Sequence, residues 1–135
     1  MSELNNIALK ILENGKGILA ADESTATMTK RLEGVNVTST PGNRLLFRET
    51  LFSSSSMTEC IGGVILYDET IKQVSSKKKN IAKLISEMGS APGIKVDTGA
   101  KVLAGSPEEK ITEGLDGLRE RLKDYYKLGA KFTKW

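Results

Sequence analysis

The chain has 135 residues, 39% hydrophobic and 27% charged, with a net charge of +3 and a sequence pI near 9.0, enough for one domain with a real core. The absence of histidine and the single cysteine, Cys60, exclude an internal disulfide, a His-based metal site and the Ser-His and Cys-His nucleophile pairs, leaving Asp, Glu, Lys and Tyr for acid-base work. Aromatics are too sparse for a nucleic-acid stacking platform, and no apolar run approaches the ~20 residues of a membrane span or forms a signal-peptide core. The expectation is a cytoplasmic protein with no nucleic-acid or membrane partner, whose lysine excess suits an anionic small molecule.

Along the chain, "SELNNIALKILENGKG" sets Leu4, Ile7, Ala8, Ile11 and Leu12 on one helical face, starting at Ser2 and stopping near Gly15 or Gly17. "GILAA" reads as a short buried strand. "ESTATMTKRLEG" follows as a helix, and "TPGNRLLFRETLFSSSS" as another, with Leu45, Leu46, Phe47, Leu51 and Phe52 on its apolar pattern after Thr40-Pro41. Arg44 and Arg48, one turn apart, are expected to meet Glu49 or solvent. "CIGGVILYDE" is the strongest strand, its continuous apolar run fitting burial on both faces of a parallel sheet. Cys60 at its start reads as a small buried hydrophobe.

"SSKKKNIAKLISEMGS" is a helix with Ile81, Leu84, Ile85 and Met88 inward, its Lys77-Lys78-Lys79 run a solvated face. "PGIKVDTG" is a short strand with a lysine in its middle. "GLDGLRERLKDYYKLG" is an amphipathic helix on Leu115, Leu118, Leu122 and Tyr125, with both Tyr125 and Tyr126 expected to pack; "AKFTKW" begins a final strand. Strands alternate with helices throughout, which predicts α/β architecture with a parallel sheet of about four strands. A (β/α)₈ barrel usually takes ~250 residues, so residues 1–135 look like the first half of one such domain. In that half, Ile18, Val64, Ile94 and Phe132 are expected to face the barrel interior.

Three polar residues lie in or just after these strands: Asp22, Lys95 and Lys134. A lysine in a buried strand is costly unless paired. One such lysine reads as snorkelling or structural. Two, with an acid at a third strand end, point to a catalytic cluster, because strand ends build the floor of a barrel active site.

The segments "GKGILAADEST", "KRL", "NRLLFRETLF", "CIGGVILYDET", "GIKVDTG", "LAGS" and "EGLDGLRERLKDYYKLGAKFTKW" occur in this order. As a set they resemble the N-terminal part of the class I fructose-1,6-bisphosphate aldolases, from about Gly15 to Trp135. The resemblance implies a TIM barrel that reversibly cleaves fructose 1,6-bisphosphate, in glycolysis and gluconeogenesis, to dihydroxyacetone phosphate and glyceraldehyde 3-phosphate. It implies a lysine Schiff base, no metal or other cofactor, and a homotetramer.

By the same resemblance, Asp22 in "LAADES" takes part in proton transfer and carbinolamine formation. Lys95 in "GIKVD" sets the electrostatics of substrate binding, and Lys134 in "FTKW" lies beside the Schiff base. Thr27, Lys30 and Arg31 fall where the family binds a phosphate; many relatives have Ser where Thr27 stands. Neighbouring cations keep a Schiff-base lysine unprotonated long enough to attack a ketone, and Lys95 and Lys134 are read as that field. "AADEST" is thus expected to deliver an acid to the catalytic mouth and then start a helix.

The family pattern continues past "FTKW" with an arginine, glutamates, the Schiff-base lysine and the main phosphate-binding residues. These 135 residues alone are accordingly expected to be inactive. Two alternatives stand beside this reading: a non-catalytic aldolase-like binding fragment, and a related Schiff-base lyase for another phosphorylated sugar.

Overall fold

Local signals set where the helices begin. In the computed structural model, which describes residues 2–135, Ser2 Oγ accepts from the Asn5 amide at 3.4 Å and starts α1 (Glu3–Leu12). Ser24 Oγ accepts from Thr27 N at 3.3 Å and starts α2 (Thr25–Glu33). Thr40 Oγ1 accepts from Asn43 N at 3.1 Å, with Pro41 in the first turn, and starts α3 (Pro41–Phe52). Each cap satisfies a backbone donor that the helix itself leaves free. The short α4 (Met57–Cys60) and α5 (Asp68–Ile71) flank the second strand. Asn80 caps α6 (Ile81–Glu87), and α7 spans Leu118–Lys127.

Four strands, β1 (Gly17–Ala21), β2 (Ile61–Leu66), β3 (Ala91–Lys95) and β6 (Phe132–Lys134), form a parallel sheet in the order β1-β2-β3-β6. Neighbours in space follow chain order, as in an arc of a barrel. Between β3 and α7 the chain makes an antiparallel hairpin, β4 (Gly99–Leu103) with β5 (Ser106–Glu113). The sequence pattern predicts no strand there. Its residues are almost all exposed, so no buried face imposes an apolar alternation.

Val64, Leu66, Ile94 and Val96 bury on the helix side of the sheet with Phe52, Ile71, Ile81, Ile85 and Tyr125. Each buried aliphatic contributes roughly 1.5–3 kcal/mol. Val64 and Ile94 therefore face the helices, not the barrel interior. The register aligns Ile18 with Gly63 and Gly93 with Phe132, so the interior face carries those four residues. A strand apolar on both faces hides the phase of its alternation.

Phe132 fills the space over the glycines: a Cβ on Gly63 would stand 3.2 Å from its ring, and one on Gly93 would overlap it. At the N-terminal ends of the strands, α1 approaches so closely that a Cβ on Gly62 would overlap the Ile11 carbonyl oxygen. Of the expected α1 face, Ile11 is buried while Leu4 and Leu12 stay exposed. On α3 the expected apolar stripe is likewise displaced, with Arg44, Arg48, Glu49 and Phe52 buried and Leu46, Phe47 and Leu51 exposed. Cys60, Leu115 and Tyr126 are exposed rather than packed. Tyr125 is buried and donates to Asp68 Oδ1 at 2.8 Å.

Candidate active site

Asp22 directly follows β1, Lys95 ends β3 and Lys134 ends β6. The register pairs Lys95 with Lys134, which puts both on one face of the sheet. Lys134 Nζ donates to Asp22 Oδ2 at 2.7 Å, and the Asp22 side chain is 8% exposed. This ion pair joins strands at opposite edges of the sheet. Lys95 Nζ donates to Asp97 Oδ1, which also accepts from the Gly99 amide at 3.0 Å. Burial raises the Asp97 carboxyl, but the bonds from Lys95 and Gly99 outweigh it and hold it below its ordinary range.

A cavity of about 430 Å³ opens here. Asp22, Glu23, Ser24, Thr27 and Tyr67 form one part of its wall, and Lys95 with Asp97, Thr98 and Gly99 another. Thr27 Oγ1 lies 3.1 Å from Ser24 Oγ at the start of α2. Lys30 and Arg31 are exposed further along α2, outside the cavity wall. Arg31 forms an ion pair with Glu23. The geometry thus brings Asp22, Lys95, Lys134 and Thr27 to one end of the sheet, and sets Lys30 and Arg31 beside it.

Arg48 supports this wall from behind. It is fully buried on α3, donates to the Glu23 carbonyl at 2.6 Å and to Thr70 Oγ1 at 2.8 Å, and stacks 5.9 Å from the Tyr67 ring centre. It also lies 3.6 Å from Glu23 Oε2. Burial pulls the guanidinium below its ordinary value, against the opposing charge of Glu23. Arg44 is bidentate on Glu69, at 2.9 and 2.5 Å, and ties α3 to α5. The hydrogen bond from Arg44 holds the Glu69 carboxyl below its ordinary range.

Neither arginine meets Glu49, which instead accepts from the Ser76 amide at 3.0 Å. Nothing in "LLFRETLF" distinguishes an inward arginine from a solvated one. Asp97 was detectable: it stands two residues after Lys95 in an extended segment, the spacing that shares a face.

Two ammonium groups and two carboxylates therefore share one face. Such a cluster can attract an anion, move a proton through Asp22, and stabilise charge on a reacting oxygen through Lys134. Among the described residues no group of three or more Cys, Asp or Glu side chains is arranged to hold a metal ion. No helix among them is long and apolar enough to cross a membrane.

The family described as "Glycolytic: Fructose-bisphosphate aldolase class-I" matches residues 3–135. The chain is 48% identical, over its full length, to 40% of a probable fructose-bisphosphate aldolase class 1 of Xanthomonas campestris pv. campestris. Over 98% of its length it is 52% identical to 37% of a non-muscle-type fructose-bisphosphate aldolase of Lethenteron camtschaticum. A solved structure of fructose-bisphosphate aldolase from Plasmodium falciparum, in complex with TRAP and a small-molecule inhibitor, superposes with a TM-score of 0.93 at 44% identity. The match covers 98% of this chain and 38% of that one. The chain spans about 40% of the length of the curated relatives it matches. With its parallel strands superposing on an aldolase barrel, this chain belongs to the class-I fructose-bisphosphate aldolase family.

Proposed function

We propose that the protein carrying this chain cleaves fructose 1,6-bisphosphate reversibly to dihydroxyacetone phosphate and glyceraldehyde 3-phosphate through a lysine Schiff base, as a cytoplasmic homotetramer of glycolysis and gluconeogenesis. The observation that carries this reading is the Lys134–Asp22 ion pair, 2.7 Å long, set beside Lys95 at the C-terminal ends of parallel strands. That is the end of a barrel where chemistry is built.

In this reading Asp22 moves protons at the reacting carbons. Lys134 stabilises charge that develops as the carbon–carbon bond breaks, and Lys95 draws the bisphosphate in. Thr27, Lys30 and Arg31 hold one phosphate near the start of α2, where helix polarity also favours an anion. Arg31 reaches that phosphate by exchanging its contact with Glu23.

By the family resemblance the nucleophile is a different lysine, and Lys95 and Lys134, each tied to a carboxylate, stand beside it. Borohydride reduction in the presence of dihydroxyacetone phosphate tests this together with a coupled assay for glyceraldehyde 3-phosphate. The expected result is cleavage of fructose 1,6-bisphosphate and a single reduced adduct on neither Lys95 nor Lys134. Faster cleavage of another sugar phosphate would move the protein to a related lyase, and no cleavage would make it a binding protein. An adduct on either lysine would overturn the assigned roles.

A further inference from the structure

The carboxylate that holds Lys95 comes from a part of the fold that the substrate reading leaves unused. Asp97 lies at the base of the β4–β5 hairpin, and that base is fixed from several directions. The Thr98 amide donates to the Glu113 carbonyl at 2.8 Å. Arg121 on α7 donates to the Val96 carbonyl at 2.8 Å and to the Gly114 carbonyl. Gly114, at φ +139, lets the returning chain lie against Asp97, and a Cβ there would stand 2.9 Å from Asp97 Cα. The Asp97 side chain is 9% exposed, against 23% for Lys95.

We infer that Asp97 is a positioning residue: mounted on the hairpin base, it holds the Lys95 ammonium at the cavity edge and offsets its charge there. The inference rests on the reading above, in which Lys95 faces the substrate. The two lysines then differ in what restrains them. Lys134 is held by Asp22, an acid of the reaction itself. Lys95 is held by an acid whose same oxygen is also engaged by the Gly99 amide. Its bonds to Lys95 and Gly99 keep that acid ionised against its burial. The hairpin thus sets where one of the two cations stands.

Asp97→Asn is the informative variant, because its amide oxygen still accepts from Gly99 while the charge facing Lys95 is gone. Freed from Asp97, Lys95 leaves its position and the cavity gains one net positive charge. In its role of drawing the bisphosphate in, a displaced Lys95 lowers kcat/KM about tenfold, chiefly through a higher KM. Partial unfolding would lower turnover at constant KM in every background. A double-mutant cycle with Lys95→Met separates the two, since Asp97→Asn should cost less than about twofold once Lys95 is gone. Equal losses in both backgrounds would overturn the inference.

A second arm does not depend on activity. Amine labelling followed by mass spectrometry should show Lys95 reacting about fivefold faster in Asp97→Asn than in the unsubstituted protein, with Lys134 unchanged. If no sugar bisphosphate is cleaved, the substrate reading falls, and this labelling still decides the pairing. An unchanged Lys95 rate would overturn the inference even in an active aldolase.

Discussion

At the N-terminal ends of the strands, α1 lies so close that Gly62 has no room for a Cβ beside the Ile11 carbonyl. At the C-terminal ends, Asp22, Lys95 and Asp97 line an open cavity of about 430 Å³, with Lys134 paired to Asp22 beside it. Around β2 the first end is closed by backbone contact with α1, whereas the second is kept open by charges that must stay solvated or paired. The difference teaches where each kind of substitution should register. Damage at the closed end should appear as lost stability, and damage at the open end as lost chemistry.

The sharpest test of the open end is Lys134→Met in the protein carrying this chain. Turnover should fall on the order of 10²–10³-fold with little change in substrate binding, because the ammonium acts on charge that develops during reaction. Steady-state kinetics with a binding measurement checks it. A loss confined to KM would blur the contrast between the two ends.

The matching test of the closed end is Gly62→Ala. A methyl group driven against the Ile11 carbonyl should cost about 3 kcal/mol. A urea midpoint shift measures it, while kcat per folded molecule should stay unchanged. An undiminished midpoint would show that α1 is not held as described.

The placement of these two ends was unequally legible in the sequence. "GILAA" and "IGGVILY" announce a parallel sheet because they are apolar without alternation, and polar residues stranded at their ends stand out. The strand-end positions of Asp22, Lys95 and Lys134 were readable for that reason; their roles rest on the proposal above. The same lack of alternation hid which face Val64 and Ile94 take. Arg48 was hidden differently: its burial is explained by the Glu23 carbonyl and Thr70, which the chain brings to it from 25 and 22 residues away. The hairpin has no buried face and so no pattern to read. Asp97 was visible as a neighbour of Lys95, but its mount on Thr98, Glu113 and Arg121 exists only in three dimensions.

Smaller effects refine the comparison. Arg31 is exposed and paired with Glu23, so Arg31→Ala should raise KM about tenfold and leave kcat nearly unchanged, as loss of a uniform phosphate contact does. Matching kinetic profiles for Arg31→Ala and Lys134→Met would count against the separate roles given to them.

The pH response should be smaller still. Glu69 is held below its unfolded value of 4.5 by Arg44. A depressed carboxyl adds stability that is complete above that unfolded value and is lost as pH falls through the folded one. Urea midpoints taken from pH 7 down to pH 3 should therefore hold steady to about pH 5 and then decline, and Glu69→Gln should decline less steeply. An identical slope in the variant would remove Arg44–Glu69 from the account.

The central claim is that the substrate occupies the charged end of the sheet, and lysine protection tests it most directly. Lys10 and Lys131 line a cavity of about 330 Å³ at the opposite end, so the chain carries its own control. Amine labelling with and without saturating fructose 1,6-bisphosphate, read residue by residue by mass spectrometry, compares the two. The account predicts that the bisphosphate slows labelling of Lys95 and Lys134 several-fold and leaves Lys10 and Lys131 unchanged. Protection of Lys10 and Lys131 instead, or of none of the four, would contradict it.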